Sequence, residues 1–407
     1  MKKLLLMAFL SLPIGLFAQS YQLNLQGTRQ IGKGSTGMAQ PTDATALFTN
    51  PGSATFLKEN DITGGLTVAL SQGKFTDGST NVESKTDNPN KTPFNLAATF
   101  GNPEGNWRFG LAVYTPFGLT NAWEKDAETR FEASKMSLLS VSVQPTASYK
   151  ITEKLGIGAG FIYTYGRVDI RRDLPVNFQN GDFGESQLKG TAYGFGVNAG
   201  LYYEASEKVS LALTYRSSMT MKANDGDAYF NVPGSLESNF PDQNFEAKLP
   251  LPQIFGVGAT YRPTEEWVLN GEVFLSDWHK YDTINIHFKD APVNGEDGID
   301  LVRNYHQGYS FRVGAEYLPL DKDYELRAGI MHNRTPIAKD MINPDVPDAN
   351  RMAFSVGGSY KFSQKLRADL SLLYEPIHRK GTNKLTDLNG TYNYDLLFPS
   401  IGLTYKY

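Results

Sequence analysis

From residue 61 to the last residue, apolar side chains recur at every second position in short runs, and the connections between runs are alternately long and short. A period of two marks a β-strand with one greasy face and one small or polar face. Fourteen such runs can be counted. In the fifth, Leu155, Ile157, Ala159, Phe161, Tyr163 and Tyr165 share one face, while Gly156, Gly158, Gly160 and Thr164 fill the other. Tight connections fall near residues 102–105, 152–154, 205–208, 263–266, 319–322 and 363–365. Longer polar ones span about 73–92, 115–136, 171–190, 222–248, 289–307, 333–350 and 377–393. A soluble β-sandwich also alternates, but it has no reason to sort its connections by length. A transmembrane barrel does, because its two sets of turns face opposite sides of a bilayer. Aromatic residues sit near the ends of many apolar faces with aliphatics between them, as rings at headgroup level do. The sequence therefore predicts an all-β transmembrane barrel of 14 antiparallel strands over residues 61–407, with both barrel ends on the periplasmic side.

Residues 1–18 read as a cleaved secretory signal: Lys2 and Lys3, an apolar run from Leu4 to Leu12, the breakers Pro13 and Gly15, and Ala18 before Gln19. That run is too short for a membrane helix, and no later stretch stays apolar for the ~20 residues a helix needs. Membrane residence then requires a closed barrel, the other structure that satisfies every backbone polar group in lipid. The mean hydropathy of −0.37 is no objection, because barrel strands alternate apolar-out and polar-in. The absence of cysteine excludes disulfides and Cys-ligated metal, and suits export through an oxidising compartment. A net charge of −4 without a basic block gives no footing for nucleic acid. The implied location is the outer membrane of a Gram-negative bacterium.

Residues 19–60 do not alternate. They are rich in Gly, Ala, Thr and Asn, with Pro41 and Pro51 as breakers, and read as an N-terminal plug of short helices in the lumen. Gly32, Gly34 and Gly37 match G-x-G-x-x-G, but a dinucleotide site needs a preceding strand and a βαβ unit, and neither is present. Glycines that let the plug backbone pass close to the wall are the better reading. His279, His287, His306, His332 and His378 lack metal-ligand spacing, and no Ser/His hydrolase arrangement is apparent. The chain is not read as an enzyme, and neither cofactor nor metal is expected.

The stretch YQLNLQGTRQIGKGSTGMAQPTDATALFTNPGSATFL, which begins at Tyr21, resembles the plug of the FadL/TodX-type outer-membrane transporters of long-chain fatty acids and other hydrophobic compounds. Gly32, Gly34, Gly37, Asp43, Ala44 and the Asn50-Pro51 pair carry the resemblance. The family usually has alanine next; Gly52 stands there in this chain and is expected to keep the turn while loosening it. YTPFGL from Tyr114 to Leu119, followed by Trp123 and Arg130-Phe131, is similar to the family's third strand and following loop. DWHKYD, starting at Asp277, and the stretch from Leu326 to Arg351 extend the likeness.

The resemblance implies passive transport by loop capture, plug rearrangement and lateral opening near the third strand. Plug and gating roles would fall to Gly32, Gly34, Gly37, Asp43, Asn50, Pro51 and Gly52. Pro116 lacks an N–H and can interrupt a ladder. Phe117, Gly118, Leu119 and Trp123 would join it in the lateral opening and capture groove, since apolar clusters in a loop mark binding. Arg167 matches a family position and offers a fork to a substrate carboxylate. Strict alternation points it outward with Tyr163 and Tyr165, so an inward Arg167 needs a bulge; otherwise it is a rim residue. The partners expected are a hydrophobic small molecule and outer-membrane lipid, with the chain a monomer. The rivals are a general porin and a surface-binding barrel that transports nothing.

Overall fold

The computed structural model describes residues 21–407; the signal reading for residues 1–18 lies outside the described residues. One antiparallel sheet closes on itself through fourteen staves. They are β1 (Asp61–Thr67 continued by Leu70–Asp77), β2 (Phe94–Phe100), β3 (Trp107–Tyr114 continued by Gly118–Ala122), β4 (Lys135–Thr152), β5 (Leu155–Asn177), β6 (Phe183–Ser206) and β7 (Val209–Arg216 continued by Met219–Asn231). Then come β8 (Gln243–Leu251 continued by Gln253–Tyr261), β9 (Trp267–Asp277), β10 (Gln307–Tyr317), β11 (Tyr324–Arg334), β12 (Arg351–Lys361), β13 (Leu366–Thr382) and β14 (Asn389–Lys406). β14 closes on β1 in register, with Thr63 opposite Thr404 and Leu66 opposite Ile401. Both barrel ends meet at the short-turn side, where Lys406 Nζ lies 2.6 Å from Glu59.

The apolar alternation names the outer face. Phe109, Leu111, Phe161, Phe195, Val257, Val313, Leu370 and Ile401 all point away from the lumen. Two positions break this pattern. Strict alternation puts Met219 and Leu251 on the outer face with Tyr215 and Phe255, yet they are buried and lie opposite each other in the ladder. Ser217-Ser218 and Pro252 interrupt the two staves opposite each other, so the register between them is kept, Arg216 opposite Ile254 and Met219 opposite Leu251, while the side chains just beyond the break change face. The long connections are also mostly strand: β5 and β6 remain paired out to Asn177 opposite Phe183. Outside lipid the outer face no longer needs to be apolar, so the ladder continues while the alternation fades.

The plug occupies the lumen with two four-residue helices, α1 (Thr28–Ile31) and α2 (Ala46–Thr49), and a 3-10 turn over Pro51–Phe56. Asn50 caps that turn by accepting from the Gly52 N–H at 3.0 Å, and Pro51 fits its first position because no N–H is needed there. Leu47, Phe48, Ala54 and Leu57 pack on Ala97, Ala112 and Tyr114 of the wall. The small inward residues of β5 and β6 leave room in the lumen. The plug takes that room: a Cβ on Gly52 would stand 2.6 Å from the Gly200 carbonyl oxygen and 2.9 Å from that of Gly156.

Candidate functional site

The plug is seated by buried charge. Arg29 reaches Glu316 of β10 and Glu325 of β11, each at 2.6 Å. Arg327 shares both carboxylates at 2.9 Å and reaches Asp369 at 3.1 Å. Asp43 pairs with Arg367 at 2.7 Å. Glu272 accepts the Gly37 and Met38 N–H groups at 2.6 and 2.8 Å. Burial opposes ionisation of Asp43, but Arg367 and the Thr45 hydroxyl hold its carboxyl below the usual range. Burial pulls the Lys33 ammonium down to about 8 although Glu316 lies near, and it donates to Gln40 at 2.6 Å.

Gly32, Gly34 and Gly52 of the plug sit where backbone meets backbone, and Gly37 faces the Gln30 side chain. Gly34 has φ +70, and a Cβ there would stand 3.0 Å from the Val313 carbonyl oxygen; its N–H donates to Ser355 at 2.8 Å. Gly37 has φ +148, and Gly32 approaches Gly357. Asn50 donates to the carbonyls of Met38 and Leu201 at 3.0 and 3.1 Å. The Pro51 carbonyl accepts from Ser148 at 2.7 Å. Gly52 therefore tightens the seat, contrary to the looseness expected of it.

β3 breaks at residues 115–117. Its register on β4 slips by one residue between Tyr114 opposite Ser142 and Gly118 opposite Leu139. β2 follows β3 only to Asn95 opposite Tyr114, with one more bond from the Thr115 N–H to the Phe94 carbonyl at 3.1 Å. Pairing on that side resumes at Ala122, whose N–H donates to Asn88 at 2.8 Å, and at the Thr86–Trp123 bridge. Gly118 to Asn121 thus border a window in the wall. Inside it, the strap formed by Tyr21–Leu23 adds to the broken strand: the Leu23 N–H donates to the Pro116 carbonyl at 2.9 Å, and the Gly118 N–H to the Tyr21 carbonyl at 3.2 Å.

Three chambers meet here. The largest, about 670 Å³, is lined inside by Leu25, Met331 and Phe398 and at the window by Pro93, Gly118 and Leu119. It also touches Phe94 and Leu139, which face outward. A second, about 70 Å³, is walled by Met136, Leu188, Leu251, Ile284 and Ile286. A third, about 100 Å³, is lined by Met38 and Phe48 of the plug and by Tyr114 and Glu272 of the wall. Phe117 borders both smaller chambers. Ile284 and Ile286 come from a hairpin, Thr283–Phe288 with Gly298–Val302, that folds over the lumen. The sequence reading passed over it, although Ile284, Ile286 and Phe288 alternate within TINIHF.

Pro116, Phe117, Gly118 and Leu119 converge on the break. Phe117 is buried, however, and is no exposed capture surface. Trp123 is separate. It packs against Phe75, Tyr392 and Tyr394 and donates Nε1 to the Pro344 carbonyl at 3.1 Å, and none of the three chambers is lined by it. Its neighbours lie on extracellular stretches of β1 and β14, which sequence distance conceals. Arg167 sits in an unslipped stretch of ladder, opposite Leu139 and Thr191, and is exposed on the outer face. No bulge turns it inward; it borders the largest chamber from outside the lumen.

A closed barrel with a corked lumen and an apolar chamber reaching its own outer wall defines a plugged outer-membrane channel. The chain belongs to the outer membrane protein transport family (OMPP1/FadL/TodX), whose family model matches residues 13–396. A long-chain fatty acid transport protein of Escherichia coli is 22% identical over 307 residues, covering 67% of this chain and 66% of that relative. The match thus spans just under two thirds of that relative's length. The crystal structure of a Pseudomonas aeruginosa FadL homologue has a TM-score of 0.81 at 16% identity and covers 95% of this chain and 100% of that one. The toluene transporter TodX of P. putida gives 0.73 at 18% identity, covering 96% and 99%. These structural likenesses show the fold.

Proposed function

We propose that this chain carries hydrophobic small molecules, long-chain fatty acids or hydrocarbons, passively across the outer membrane, and that they leave the lumen sideways through the window beside β3. One observation carries the reading: a single chamber of about 670 Å³ joins lumenal side chains to the outward-facing Phe94 and Leu139. A molecule in it can pass from the pore to lipid without entering water, which favours an apolar cargo. The buried ion pairs at Arg29 and Asp43 keep the axial route shut. Movement is then needed mainly at the strap, which two backbone hydrogen bonds hold to the broken strand. Gly34, Gly37 and Gly52 serve this scheme by letting the cork fit tightly, and Arg167 meets an emerging carboxylate at the outer margin. The chain acts as a channel and not as an enzyme, and works as a monomer. Relatives named for fatty acid and toluene transport support the cargo class.

The test is uptake into liposomes of a labelled fatty acid, toluene and a small sugar. The hydrophobes should cross while the sugar does not. Deleting Pro116, which takes one residue out of the slipped stretch and restores a continuous ladder, should reduce hydrophobe flux to that of protein-free vesicles. Equal sugar leak would establish a porin, and no flux of any solute a surface-binding barrel.

A further inference from the structure

The double break in β7 and β8 puts two lysines on the outer face. On the lipid side of it, Tyr215 and Phe255 point outward with ring centres 4.8 Å apart. Unbroken alternation would carry Met219, Met221, Leu249 and Leu251 outward as well. The break turns them inward, where Met221, Leu249 and Leu251 wall the smallest chamber. Lys222 and Lys248 turn outward in exchange, and both are exposed.

Lys222 and Lys248 stand directly opposite each other in the ladder, where paired Cα atoms are about 5 Å apart. Like charges so placed are unfavourable. Neither lysine has an ion pair among the described residues, and the carboxylates around them are engaged elsewhere. Glu246 and Asp225 hold Lys289 at 3.2 and 2.7 Å. Asp277 accepts from Gln253 at 2.9 Å, and Asp227 lies opposite Lys189. A third cation joins the pair, since Lys280 Nζ reaches the Ser218 hydroxyl inside the break at 3.5 Å. On its other side Lys222 lies opposite Tyr193, an outward ring packed on Phe195, which in turn packs on Tyr163. The flanking staves follow the same rule. Beyond the apolar band, the first charged outward side chain is Lys135 on β4, Arg167 on β5 and Lys189 on β6, whereas β9 reaches Asp277 and β14 reaches Asp395.

Outward aromatic residues at the edge of the apolar band sit at headgroup level, and the long-connection end of the barrel faces the cell exterior. We propose that Lys222 and Lys248, with Lys280 beside them, bind the phosphate of a phosphorylated outer-leaflet lipid, whose acyl chains lie along the outward Tyr215, Phe255 and Val257. A phosphate accepts charge-assisted hydrogen bonds from both ammonium groups and removes their repulsion. The apolar surface directly beneath the cations favours a lipid over a free anion, because it gives the chains a place to lie. The site is on β7 and β8, away from the window beside β3, so a lipid held there leaves the exit open. This inference does not depend on what the barrel transports.

The probes are diphosphoryl lipid A, lipid A stripped of its phosphates, and inorganic phosphate. Binding to the full protein in a neutral detergent is measured by titration in native mass spectrometry. The phosphorylated lipid should bind about tenfold tighter than the stripped one, a difference within reach of two cations at a membrane surface. In the double variant Lys222→Gln/Lys248→Gln that ratio should fall toward one. Lys208→Gln, beside a short turn on the opposite side of the membrane, should leave it unchanged. Folding is checked in lipid-free detergent, where the double variant should unfold at or above the wild-type temperature because the repulsion is gone. A wild-type ratio near one, or a ratio unmoved in the double variant, would overturn the proposal. An equal fall in Lys208→Gln would overturn it too, because net charge alone would then draw the lipid. Complete displacement of lipid A by millimolar inorganic phosphate would mean that the lysines take a free anion, and the assignment to lipid would fail.

Discussion

Arg29 of the plug is ion-paired to Glu316 of the barrel wall at 2.6 Å, with both side chains buried. A pair of this kind adds little over a well-packed apolar contact, but removing one partner strands the other. Its value here lies in fixing one orientation of the cork against one part of the wall.

Arg29→Ala leaves Glu316 and Glu325 with Arg327 as their main cation, at a cost of about 3–5 kcal/mol. The barrel ladders do not depend on Arg29, so the loss should fall on the plug. The expected outcome is greater leak of a small sugar and faster proteolysis within residues 21–57. Unchanged leak and unchanged proteolysis would show that the seat does not depend on this charge.

Lys33 gives a pH signature. Its ammonium is lowered from 10.5 to about 8, so between these values the unfolded chain binds more protons and stability rises with pH. Below that window the charged form costs about 3 kcal/mol. Lys33→Met should be more stable than wild type at neutral pH and should lose most of that advantage by pH 10.5. Denaturant midpoints at the two pH values decide it: an equal advantage at both would rule out ionisation as its source.

Gly52→Ala tests the close approach of cork and wall. The new methyl would meet two backbone carbonyls, neither of which can rotate away. Overpacking of this kind costs about 1–3 kcal/mol. A lower unfolding temperature is expected, together with sugar leak like that of Arg29→Ala. A neutral or stabilising result would refute the tight seat.

Trp123→Ala should separate anchoring from binding. It removes a buried indole and its bond to the Pro344 carbonyl, at about 3–5 kcal/mol. Stability should fall while the affinity of the remaining folded protein for toluene is unchanged. Weaker toluene binding with normal stability would return Trp123 to the capture groove.

The sequence by itself determined the barrel. Strand alternation is written one residue at a time, and each outward position must be apolar because lipid touches it individually. Leu111, Phe161 and Val313 could therefore be placed without any knowledge of their neighbours. Gly32 and Gly34 of the plug were legible for a similar reason, since a close approach of backbone leaves no alternative residue. Tertiary structure alone decided where the ladder slips, which way Met219 and Leu251 turn, that Trp123 anchors a loop, and that Arg29 is seated on Glu316 and Glu325. Such meetings join segments up to nearly three hundred residues apart. A short-range period holds only as far as an unbroken ladder, and it carries no record of what lies across the pore.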